Sequence, residues 1–182
     1  MRRTPMLLLM AALLAGPAVA DPPAATPVVY YTPTDLYGYL AMAGACDQFA
    51  VQSSRLALVR TRSDAVKAYA RAMIASHAGS AQTLIDESHR AGLHPPDAVL
   101  TGDLQRRFDA LARAPEAEFD GAYMAAQIEV QQQELATHRV YAASGDNAIL
   151  RAVAASLEPM ISERLAQAQA LIATPDVRPP TG

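Results

Sequence analysis

Apolar residues recur at three- and four-residue spacing along four long stretches of the chain, the pattern of helices that bury one face. The first stretch runs through Leu36, Leu40, Ala43, Asp47, Ala50, Ser54 and Ala57; Thr34 is its expected cap, Asp35 falls in the first turn, and the pattern stops near Thr61. The second is expected to start from Ser63 and to carry Val66, Ala70, Met73, His77, Leu84 and Ser88 on one face. It should end at Gly92, since a residue without a Cβ suits the left-handed turn that closes a helix. The third follows Pro115, holds Met124, Ile128, Gln131, Leu135 and Ala142 on one stripe, and stops at Gly145. The fourth opens at Asp146 or Asn147 and turns Leu150, Val153, Leu157, Met160, Arg164, Ala168 and Leu171 inward. Pro159 lies inside it and predicts a kink, because proline removes one backbone hydrogen bond.

Between the second and third stretches, residues 93–115 break the pattern. His94, Pro95 and Pro96 exclude a helix interior, and only Asp103 to Arg113 regains a short amphipathic period. The segment is longer than an ordinary hairpin loop, so it reads as a crossover containing a short extra helix. Four long helices, short links within each pair and one long link in the middle predict an all-α, ferritin-like four-helix bundle. No glycine-rich phosphate loop, G-x-S-x-G or paired C-x-x-C is present in the sequence.

The ends of the chain change the picture of where this fold works. Residues 1–20 carry Arg2 and Arg3, an apolar run from Met6 to Ala15, a break at Gly16 and Pro17, and the small residues Ala18-Val19-Ala20, the layout of a cleavable signal peptide. The run is about half the length a spanning helix needs, so the mature chain should begin at Asp21, without membrane insertion, in the periplasm. Residues 21–33 hold four prolines and read as an extended leader, residues 34–172 as the bundle, and residues 173–182 as a disordered tail. Loss of Arg2 and Arg3 moves the formal net charge from −3 to −5, with Lys67 as the only lysine, which argues against a nucleic-acid partner. Cys46 is the single cysteine, so no internal disulfide forms; it is expected to be a buried, inert thiol.

Residues 36–170 resemble the bacterial DUF4142 family of exported proteins, grouped with the ferritin-like superfamily. The matching stretches are Ala43 to Leu58, Val66 to His77 (VKAYARAMIASH), Phe119 to Tyr123 (FDGAY) and Leu157 to Leu165 (LEPMISERL). The resemblance implies metal-ligand positions at Ala50, at Ser76 with His77, at Gln131 and at Arg164. Of these only His77 keeps a ligand type, and Arg164 brings a permanent positive charge to a place meant for a cation. No cofactor is therefore expected; iron or another divalent transition metal is the alternative. Glu134 with His138, and His89 with His94, are expected on solvated faces, with Glu129 or Glu134 turning inward in the alternative where the third helix is rotated.

The inward stripes leave Asp47, Ser54, His77, Gln131 and Arg164 as a buried polar network. Asp47 is the one acid on the inward stripe of the first helix, so it is expected to pair with Arg164. The sequence thus points to a non-catalytic binding or structural, stress-related bundle of the bacterial envelope, with an unidentified protein or small molecule as its partner and a homodimer possible, and with a metal-binding or redox-active ferritin-like protein as the alternative.

Overall fold

A computed structural model of the chain describes residues 30–100, 102–175 and 177. The signal peptide, its cleavage site, most of the leader and the end of the tail lie outside the described residues. Five α-helices and one turn of 3₁₀ helix make up the fold, and no strand occurs among the described residues: α1 (Leu36–Arg60), α2 (Asp64–Arg90), α3 (Gly102–Arg113), a 3₁₀ turn (Glu116–Glu118), α4 (Phe119–Ser144) and α5 (Ala148–Ile172).

Local chemistry sets the helix ends. Asp35, rather than Thr34, caps α1, its carboxylate accepting from Gly38 N at 2.8 Å. A Cβ on Gly38 would stand 2.6 Å from that carboxylate, so this close cap requires glycine. Ser63 Oγ accepts from Val66 N at the start of α2, and the Asn147 side chain accepts from Ile149 N and Leu150 N at the start of α5. At the end of α2, Gly92 takes φ +73°, letting Gly92 N donate to His89 O and Leu93 N to Ser88 O, the paired bonds of a Schellman cap. The proline-bearing crossover leaves from this cap. Its far end is tied down by Arg60, whose guanidinium donates to the carbonyls of Ala112 and Ala114 at the end of α3.

The four long helices pack in a ring, α1 against α2 and α4, and α5 against α2 and α4, while α3 lies across α1 and α4. The core falls into layers. One apolar cluster gathers Ala50, Ala57, Tyr69, Met73, Phe119, Tyr123 and Ala168. A second gathers Leu40, Ala43, Leu84, Leu135, Leu150, Leu157 and Ile161. Between these two sets every long helix contributes buried polar residues: Asp47 on α1, His77 on α2, Gln131 and Glu134 on α4, and Arg164 on α5. A third cluster, with Cys46, Phe49, Leu104 and Val130, seats α3. Val177, in the segment expected as a tail, is 2% exposed and belongs to the first cluster. Tyr30 and Tyr31, at the end of the expected leader, lie along α4, where Tyr30 donates to Gln132 and Gln133 donates to the Tyr31 carbonyl. No described helix is long and apolar enough to cross a membrane.

Candidate functional site

The polar layer centres on His77, which is wholly buried. Its Nδ1 lies 2.7 Å from Asp47 Oδ1, and its Nε2 faces Arg164 Nη1 at 3.4 Å and Gln131 Nε2 at 3.3 Å. A guanidinium only donates, so Nε2 must offer its lone pair; the ring proton then sits on Nδ1 and is donated to Asp47. Ser80 Oγ donates to the same Asp47 oxygen at 3.3 Å. Histidine orientation is thus fixed from both sides, by a carboxylate on α1 and a guanidinium on α5.

Glu134 completes the set. It is 1% exposed, its Oε1 meets His77 Nδ1 at 3.9 Å and Arg164 Nη1 at 4.0 Å, and its Oε2 has no hydrogen-bond partner. Burial pushes its carboxyl up to about 7, with His77 and Arg164 pulling it down and Asp47 adding to the rise. Asp47, His77 and Glu134 each present a ligand-type atom, and these atoms lie within 4.8 Å of one another. Arg164 is loosely held for a buried cation: Nη2 donates to Met160 Sδ at 3.0 Å, while Nε has no partner. Burial lowers its pKa. Gln131 donates to Met73 Sδ and leaves its Oε1 open, and the buried Tyr69 hydroxyl is also without a partner.

One helical turn further along α4, His138 accepts or donates at 3.1 Å to the Tyr39 hydroxyl, which stacks on Tyr141 with ring centroids 3.8 Å apart. Burial lowers His138 to about 4 and raises Tyr39, so the pair is an uncharged imidazole and an uncharged phenol.

Asp47, His77, Gln131 and Arg164 are therefore brought together. Ser54 is not among them: it bonds Tyr123 OH at 2.8 Å, next to a contact from Gln127 to Ser53 at 2.8 Å, within the first apolar cluster. The expected Asp47–Arg164 pair is replaced by Asp47–His77, and the acid oxygen nearest Arg164 belongs to Glu134. Glu134 and His138, expected on a solvated face, are both buried. His89 and His94 are exposed with ring centroids 6.1 Å apart. Cys46 is a free, buried thiol whose pKa burial raises well above its ordinary value.

These features define an all-helical protein with a charged layer held between two apolar ones. The chain belongs to the family described as Domain of unknown function (DUF4142), which it matches over residues 22–171. No curated protein and no solved structure matches it.

Proposed function

We propose that this protein is an exported, non-catalytic binding protein of the bacterial envelope, built as a ferritin-like four-helix bundle. The observation that carries the reading is Glu134, a carboxyl buried in the core with one oxygen unpartnered, beside an under-bonded guanidinium and an imidazole. Such atoms add nothing to stability on their own, since a buried polar group without a partner costs about 1–3 kcal/mol, and they mark a place where a guest completes the bonding. The cavity that reaches this layer, at Asp47, has about 260 Å³, below the roughly 300–1,000 Å³ of ordinary small-molecule sites. That size suits an ion better than an organic substrate. Export rests on the Arg2-Arg3 start, the apolar run and Ala18-Val19-Ala20.

The alternative, a redox-active metal protein, is favoured by the convergence of Asp47, His77 and Glu134. Incubating the purified mature chain with iron(II) and peroxide separates the two. The binding reading expects iron oxidation no faster than in buffer, and sustained turnover would replace it with the redox one. N-terminal sequencing of protein recovered from the envelope should begin at Asp21; recovery of Met1 would count against export.

A further inference from the structure

We propose that Asp47, His77 and Glu134 form a site for one divalent first-row cation of the zinc or manganese type, reached through the cavity beneath the crossover. The inference rests on the binding reading and names its ligand.

The donor set decides the class. One imidazole and two carboxylates, with no thiolate, suit a borderline or hard divalent ion. They come from α1, α2 and α4, so the ring itself holds them in place. Two atoms bound to one ion at about 2.0–2.2 Å stand about 3–4 Å apart. Glu134 Oε1 and His77 Nδ1 already stand 3.9 Å apart and no ligand pair exceeds 4.8 Å, while Asp47 Oδ1, now 2.7 Å from Nδ1 as its hydrogen-bond partner, must draw back by under an ångström as the ion replaces the proton between them.

The unpartnered atoms supply a second, independent line. An ion taking the Nδ1 lone pair sends the His77 proton to Nε2, where it needs an acceptor. Gln131 Oε1, now without a partner, belongs to the amide that already lies 3.3 Å from Nε2, and turning that amide over provides the acceptor. Arg164 Nη1, displaced from Nε2, is left facing Glu134, whose Oε2 is also open. Ion entry thus satisfies Gln131 Oε1, a buried oxygen that the ion-free arrangement strands, and frees Arg164 Nη1 on the side of Glu134.

Access is built in. Asp47 lines a cavity of about 260 Å³ walled by Gly44 on α1, Leu84 and His89 on α2, and Pro95 and Ala98 of the crossover. The exposed His89 and His94 stand at the same face and are the competing surface site.

The test is calorimetric titration of chelator-stripped mature protein with zinc alone and with manganese alone at neutral pH. One ion per chain is expected. His77→Gln and Glu134→Gln should each weaken binding at least about a hundredfold, while Arg164→Met, by removing a nearby like charge, should tighten it about tenfold or more. Nitrogen-15 spectra of the His77 ring give a readout that does not depend on variants folding: the proton should move from Nδ1 to Nε2 on addition of the ion. No binding by either the wild type or Arg164→Met would overturn the inference. So would binding that survives both ligand substitutions and disappears when His89 and His94 are both changed to alanine. These outcomes are separate from turnover with iron and peroxide, which would remove the non-catalytic reading and leave the ligand set intact.

Discussion

Two buried polar groups of residues sit a few turns apart in this core and differ in kind. Around Ser54 every member is neutral: Ser53 bonds the Phe49 carbonyl, Gln127 donates to Ser53, and Ser54 bonds Tyr123, leaving only Gln127 Oε1 open. Around His77 stand the ionisable Asp47, Glu134 and Arg164 with the amide of Gln131, and Gln131 Oε1, Glu134 Oε2, Arg164 Nε and the nearby Tyr69 hydroxyl are all unpartnered. Closed neutral networks rigidify a core; open charged ones strain it. The first is architecture; the second is the arrangement on which the ion-site proposal rests.

The largest expected effect tests that contrast directly. Asp47→Ala removes the acceptor of His77 Nδ1 and of Ser80 and withdraws a negative charge from the layer that holds Arg164, so denaturant unfolding should show a loss of about 3 kcal/mol. A loss below half of that would mean the layer tolerates stranding and is looser than its geometry indicates.

The pH dependence of stability in chelator-stripped protein comes next. His138 is held at about 4 against an ordinary 6.5, so the unfolded chain takes up that proton first as pH falls, and this contribution is complete above 6.5 and lost towards 4. Glu134 is held at about 7 against 4.5, so its effect has the opposite sign: stability falls as pH rises from 4.5 to 7. Between 4.5 and 6.5 the two oppose each other. Relative to wild type, Glu134→Gln should therefore gain stability with rising pH by up to about 1.4 kcal/mol per unit, and His138→Gln should lose it at a similar rate. Parallel curves for all three proteins would show that these groups titrate normally.

Arg164→Met replaces an under-bonded buried cation by an apolar chain of similar length, and an equilibrium melt should show a gain of about 1–2 kcal/mol. The smallest effect is expected from Ser54→Ala, a loss of about 1 kcal/mol from one neutral hydrogen bond. If Ser54→Ala proves as damaging as Asp47→Ala, the distinction between the two groups fails.

Much of the fold was legible in local chemistry. The caps at Ser63 and Asn147, the stop at Gly92 and the break before the crossover all follow from single side chains whose preferences hold regardless of packing. Asp47, His77, Gln131 and Arg164, which lie on the inward stripes, are all buried. Glu134 and His138 were hidden for a physical reason. A glutamate is rarely fully buried, so a stripe drawn through Met124, Ile128, Gln131 and Leu135 puts it outside. But α4 packs against α1, α3 and α5, and three neighbours bury far more than one stripe. The available signal was the spacing of Gln127, Gln131, Glu134, His138 and Tyr141, a second stripe in its own right. Missing Glu134 also mispaired Arg164, since pairing depends on which acids are inside.

The layering of the core has one more consequence. Because the charged residues occupy one level on four helices, with apolar clusters on both sides, a helix that slid by one turn, about 5.4 Å, would push a charge into hydrocarbon and leave its partners stranded. The layer therefore acts as an indexing notch: many registers would satisfy a purely greasy ring of helices, and this one admits a single alignment.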